Sequence, residues 1–261
     1  MRFFQTNSRA LSRTKSFLQP LLSISIVFVA WELVSRSGIV SSALFPGPIK
    51  IVVALFGLFQ HGLITDVVAS TYRAILGLGI GSALGICVGV CTGRNTTIRA
   101  SISPLLHVFR SLPPVALIPV IITWFGIGEP AKLFAISLAV FFPVWVNAHV
   151  GAERVPQEYI RAGQSLGFSR IQELGKVIFP SIMPFAFVGM RVGIGIAFIM
   201  VYISELAGAS SGLGFQIAIS HLNYAMDRML AVLLVLGIVA ALTDWLFEKS
   251  VRSLFPWINL S

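Results

Sequence analysis

Charged and nucleophilic side chains are scarce in this sequence of 261 residues, so the few set inside long apolar runs are the ones whose chemistry must be explained. Arg110 and Arg191 are the two basic residues placed well inside such runs. A guanidinium is planar, always charged, and able to hold a carboxylate, nitrate or sulfonate through two parallel hydrogen bonds. In an apolar medium it costs roughly 2.5–3.5 kcal/mol on insertion scales, so each must face protein or a wet cavity. Arg110 adjoins Pro113 and Pro114, and its reading is a structural or gating one, bonding carbonyls freed at the prolines. Arg191 lies beside Gly189 and Gly193, and two readings stay open for it: a structural bond, with Glu205 as one candidate partner, or a donor to an anion. Glu205 itself reads as a hydrogen-bonded carboxylate rather than a catalytic base. His107, His149 and His221 show no spacing of a metal pair, and Cys87 and Cys91 sit four apart in one apolar run, which is neither a disulfide framework nor a metal site. No Gly-x4-Gly-Lys-Ser/Thr loop is present, so no nucleotide phosphate is cradled here. The expectation is no catalytic residue, no metal and no cofactor held by this chain.

The elements that carry these residues are set by composition. With 56% hydrophobic residues, 11% charged ones and a mean hydropathy of +0.88, the chain falls in the membrane class. A spanning helix needs about 20 apolar residues. Runs of that kind fall at 17–34, 74–93, 98–125, 133–152, 181–204 and 229–247, giving an all-α, polytopic membrane protein of about six spans in a single domain, 17–261. The segment 44–70 carries Lys50, His61 and Asp66 and reads as a helix lying on the outer surface. Residues 1–16 hold Arg2, Arg9, Arg13 and Lys15 with no acid. A cleaved signal peptide is set aside because 17–34 is long enough to span and no small-x-small site follows. Twelve Lys and Arg fall on the side of the tail, the loop 153–180 and the C-terminus, against five on the other. That bias places both termini and the loop in the cytoplasm. The net charge of +9 is absorbed by this topology, and no aromatic-basic strip points to nucleic acid.

Within the spans, Gly77, Gly81, Gly85, Gly89 and Gly93 recur every four residues, a ridge that lets a neighbouring helix approach closely. Gly189, Gly193 and Ala197 form a shorter one. Pro113, Pro114 and Pro119 must break the span 98–125. Gly208, Gly212 and Gly214 predict a tight or re-entrant outward-facing turn. The polar stretch 156–184 spells helix, glycine turn, helix: Pro156 at a first helical position, Gly167 in a left-handed turn, and a Ser169/Gln172 capping box opening a second helix that stops before Pro180. Tyr159, Ala162, Gly163 and Leu166 share a face of the first helix. On spacing alone it is either an ordinary interfacial helix or one that docks into a partner's groove.

That stretch resembles the cytoplasmic signature of bacterial ATP-binding-cassette importer permeases, EAA-x3-G-x9-I-x-LP. Ala162, Gly167 and Pro180 match, Gly163, Val177 and Phe179 are small or apolar stand-ins, and Arg161 stands where the family has an acid. Together with Arg110-Ser-Leu-Pro113-Pro114, Trp124-Phe-Gly126-Ile-Gly128-Glu129, Gly189-Met-Arg191, and Glu205-Leu-Ala with Gly212-Leu-Gly214, the resemblance runs over roughly residues 65–250. It is to the nitrate/sulfonate/taurine branch, some of whose members handle bicarbonate. It implies a type I importer fold in the bacterial cytoplasmic membrane and a permease homodimer. Two ATPase subunits holding ATP and Mg, and an extracytoplasmic binding protein, complete the assembly. It further implies that Tyr159, Arg161, Ala162, Gly163, Leu166, Gly167 and Pro180 belong to the helix that couples to the ATPase. Arg110, Pro113, Pro114, Arg191 and Glu205 are then the candidate lining of the path. A permease for another small organic solute is the near alternative. A stand-alone secondary carrier usually carries intramembrane carboxylates and repeated halves; here every acid except Glu32 and Asp244 falls in a loop or at a span boundary.

Overall fold

The structure, a computed structural model, describes residues 22–60 and 62–255; all regular structure among them is helical. In chain order the helices are α1 (22–36), α2 (Pro48–Gln60), α3 (Leu63–Arg94), α4 (Thr96–Arg110), α5 (Ile118–Phe125), α6 (Glu129–Glu153), α7 (Gln157–Ser165), α8 (Arg170–Glu173), α9 (Phe179–Leu206), α10 (Leu213–Leu222) and α11 (Met226–Leu254). Among the described residues, four stretches are long and apolar enough to cross a membrane: α3, α6, the continuous helix Arg170–Leu206 and α11. The bent pair α4 and Pro114–Phe125 makes a fifth if it is one span. The first expected span, 17–34, lies partly outside the described residues, and the basic tail 1–16 and the last six residues lie wholly outside them.

Contacts divide the chain into two units. The smaller comprises residues up to 61 with 219–232. There the Glu32 carboxylate accepts from the Ile49 amide at 3.2 Å, serving the open N-terminus of α2, and holds Arg36 at 2.6 Å. Ser35 donates to the Phe45 carbonyl, and Trp31 lies between Phe28 and Phe45.

The larger unit comprises 62–218 and 233–261. It corrects one expected boundary: α3 starts at Leu63 after Gly62 in a left-handed conformation, so 63–70 is not part of a surface helix but the first two turns of a 32-residue rod. At its centre α6 packs between α3 and α9, with Ile136, Val140, Val144, Trp145 and Ala148 essentially sealed. The glycine ridge of α3 makes this approach possible. A Cβ on Gly81 would lie 2.5 Å from the Ser137 carbonyl oxygen, on Gly85 2.9 Å from that of Phe141, and on Gly89 2.6 Å from the Ala148 Cβ; one on Gly77 would overlap Ile136. On α9, a Cβ added to Gly189 would lie 2.9 Å from the Pro143 carbonyl oxygen of α6. Lipid supplies no hydrophobic drive between spans, so this close backbone approach is a main source of contact among α3, α6 and α9.

The second helix of the polar loop does not stop before Pro180. It runs from Arg170 into α9 through a widened turn, Leu174–Ile178, closed by the Phe179 amide on the Leu174 carbonyl. The extra residue in that turn moves the carbonyls that a proline ring would strike in a regular helix.

Candidate functional site

The polar loop folds largely as its local signals dictate. Pro156 caps α7 from just outside rather than filling its first turn; Gly167 is left-handed at φ 77°; and the Ser169/Gln172 box is formed in both directions. Burial divides the expected face. Ile160 and Gly163 turn inward, Ile160 joining Val155, Ile178, Ile182, Met183 and Val251 in one apolar cluster, and Gly163 admitting the Phe168 ring. Tyr159, Ala162 and Leu166 remain on the outside, with Arg161 exposed beside them. Leu166 is 75% exposed and Ile171 82%, an apolar edge unusual on a helix whose other side is already packed. Gly163 therefore belongs to the supporting side of α7, and Pro180 to the start of α9.

The proline-rich span breaks as expected. α4 and the segment Pro114–Phe125 meet at 90°. The carbonyls released at the break are taken by local groups: Val108 by the Ser111 amide, Phe109 by the Leu112 amide, Pro113 by the Ala116 amide, and His107 by the Ser111 hydroxyl. Arg110 is not needed for them, which removes the carbonyl-bonding role expected for it. It ends α4 exposed, with no hydrogen bond or ion pair to any other described residue. Pro113 is extended at ψ 120° and Pro114 opens a single 3₁₀ turn before α5.

Arg191 has the opposite fate. Its guanidinium donates to Asp244 at 3.2 Å and Glu248 at 2.8 Å, both on α11. Among the described residues its ion partners are these two acids of α11 rather than Glu205, so its guanidinium already faces carboxylates.

Glu205 is 1% exposed, so it lines no open path in this structure. It is the centre of a buried ion cluster that joins α3, α6 and α9. Ser70 donates to its carboxylate at 2.8 Å, the Gly214 amide donates at 2.8 Å, and Arg73 Nη1 donates at 2.7 Å. Arg73 also donates to the Ser211 carbonyl and, through Nε and Nη2, to both oxygens of Glu129. Lys132 donates to the same Glu129 at 3.0 Å. Asp66 accepts from the Gly212 amide and Gln216, which pins the glycine turn to α3. Arg73 and Lys132 bound apolar runs in the sequence, which disguised them as end-of-span charges. The signal that exposes them is spacing: Asp66, Ser70 and Arg73 fall on the helical stripe that continues through Gly77 and Gly81.

Long apolar helices packed backbone to backbone, one of them broken by prolines, with a helix–glycine–helix loop set at one end, define the membrane subunit of a transporter. The architecture matches inward-facing structures of the MetNI methionine ABC transporter, with a TM-score of 0.64 at 20% identity over 75% of this chain and 97% of that one, a likeness of fold alone. Residues 81–255 match the family of binding-protein-dependent transport system inner membrane components. Relatives include the putative aliphatic sulfonates transport permease protein SsuC of Bacillus subtilis, 30% identical over 261 residues (98% of this chain, 95% of SsuC). The taurine transport system permease protein TauC of Escherichia coli is 34% identical over 241 residues (90% and 88%). The nitrate import permease protein NrtB of a Synechocystis strain is 27% identical over 237 residues (87% and 85%). The chain belongs to this family. It is a multi-pass permease component of an ABC importer, a transport subunit whose ATP hydrolysis is carried by a separate subunit.

Proposed function

We propose that two copies of this chain form the path by which a small oxyanion of the sulfonate, taurine, nitrate or bicarbonate kind enters a bacterial cell. The relatives named for sulfonates, taurine and nitrate carry substrates that share a compact anionic group. The observation in this chain that carries the reading is Arg110, an exposed guanidinium at a 90° break in an apolar span with no protein partner among the described residues. Broken helices are tolerated in membranes where they line a cavity, and an unpaired guanidinium there is a ready donor to a passing anion. This assigns to Arg110 the anion role that the sequence left open for Arg191.

Coupling is proposed through α7, whose Tyr159, Ala162 and Leu166 edge, with Arg161, docks into a groove on an ATPase subunit that holds ATP and Mg. The loop and both termini are proposed to face the cytoplasm, with a binding protein docking on the opposite side.

The test is uptake by the importer reconstituted with its ATPases and binding protein. Wild type takes up one of these anions; Arg110→Gln abolishes uptake and Arg110→Lys keeps part of it, with assembly intact in both. Uptake of a neutral solute alone, or normal anion uptake by Arg110→Gln, refutes the reading.

A further inference from the structure

The two edges of the Arg73 guanidinium are used very differently. One edge is built into the protein: Nη1 lies 2.7 Å from Glu205, whose side chain is fully buried, and 2.8 Å from the Ser211 carbonyl. The other edge, Nε and Nη2, presents a two-pronged fork to Glu129 at 2.8 and 2.7 Å. Lys132 completes that side, reaching the same carboxylate at 3.0 Å. The Arg73 and Lys132 side chains are 6% and 8% exposed, whereas Glu129 is 49% exposed. Glu129 is thus a cover, reachable from outside, over two fixed cations that the fold has already oriented.

The cover can leave by moving its own side chain. Glu129 is the first residue of α6, after Gly126, Ile127 and Gly128. Ala131 and Lys132 are buried within the same turn, so the turn itself stays in place. Rotation about the Glu129 side-chain bonds swings the half-exposed carboxylate outward while Arg73, Lys132 and the packed stretch from Ala135 onward keep their positions. Withdrawal leaves Arg73, Lys132 and Glu205, a net single positive charge with an empty fork. A carboxylate, nitrate, sulfonate or bicarbonate each offers two oxygens on one centre, the geometry that Glu129 now supplies.

We propose that Arg73 and Lys132 form an anion-binding station at the end of α6 remote from α7, occupied in the resting protein by Glu129 and taken over by the transported anion when it arrives. The site rests on geometry alone; its assignment to the transported species rests on the function proposed above.

The experiment uses the whole importer. In Glu129→Ala the melting temperature falls. Formate, nitrate or methanesulfonate restores it with saturation, while chloride at equal ionic strength does not. Adding Lys132→Gln to Glu129→Ala raises the half-saturating concentration about tenfold, the order of one hydrogen bond to a charged group. In uptake, Glu129→Gln weakens the cover and lowers KM several-fold, whereas Lys132→Gln raises it. Should Glu129→Ala fail to assemble, Glu129→Asp, which keeps the charge but retracts it, carries the same titration. Equal stabilisation by chloride, or none by any anion, overturns the station. Stabilisation accompanied by unchanged KM in both uptake variants leaves an internal ion pair and overturns the transport role. A wild-type importer that takes up only neutral solute refutes the anion function and the transport role with it, while the melting titration still decides whether the station exists.

Discussion

Substitution of Gly89 by alanine separates close packing from every other effect of the glycine ridge. The new Cβ would lie 2.6 Å from the Ala148 Cβ and 2.9 Å from both the His149 nitrogen and the Trp145 carbonyl oxygen. Carbon pairs rest at about 3.5–4.0 Å, so α3 and α6 must part locally by about 1 Å. Overpacking of that kind costs roughly 1–3 kcal/mol. Alanine also favours helix over glycine by roughly 0.8–1.0 kcal/mol, which masks part of the loss. Gly79, on the same helix with nothing within 4 Å of its would-be Cβ, provides the control. Gly79→Ala has the helix gain without the clash, so the difference between the two variants is the clash alone, roughly 1–3 kcal/mol. Parting the helices also strains the Thr92 hydroxyl, which receives Trp145 Nε1 at 3.2 Å and bonds His149 Nδ1 at 2.9 Å. The assay is thermal unfolding of the two purified variants side by side in one detergent, with Gly89→Ala melting several degrees below Gly79→Ala. Equal melting temperatures would refute the view that close approach of α3 and α6 depends on this ridge.

Other expectations follow from single contacts. Gly167→Leu has room for its Cβ but must hold a side chain at φ 77°, a strain of roughly 1–2 kcal/mol, and is expected to uncouple ATP hydrolysis from uptake while membrane insertion survives; normal coupling would count against α7 as the link. Glu205→Ala leaves Arg73 buried against a lost carboxylate and should destabilise the protein by roughly 3–5 kcal/mol, seen as loss of folded protein on size-exclusion chromatography. Arg191→Gln breaks the link to Asp244 and Glu248 and should lower melting temperature in step with uptake; lost uptake at unchanged stability would instead place Arg191 in the path. Single cysteines introduced at Ser165 and Ser8 should be shielded from an impermeant thiol reagent added to intact cells, and labelling at Ser165 would invert the proposed topology.

What was legible in the sequence was local or periodic. The Ser169/Gln172 box, the left-handed Gly167 and the break at Pro113 each depend on a few neighbouring residues, and the structure contains all three. The Gly77–Gly93 ridge was legible because its four-residue period is a property of one helix. Partnership across helices was not: Arg191 meets acids more than 50 positions away, and Arg73 is joined to Glu205 across 132. A charge ending an apolar run also has two meanings, a boundary or a buried partner. Only the stripe of Asp66, Ser70, Arg73 and Gly77 distinguishes them. Pro180 misleads for a different reason, since a widened turn, which no local residue type announces, lets a helix pass through it.

The unbroken helix from Arg170 to Leu206 also has a mechanical meaning. At about 1.5 Å per residue its 37 residues form a beam of about 55 Å, with one end beside α7 and the other at Glu205. A twist applied near the loop reaches the ion cluster without crossing a hinge loop, the widened turn at Leu174–Ile178 being the one departure from regular helix along the way. A twist at the α7 end and the grip on Arg73 at the Glu205 end are thus two readings of the orientation of a single rod.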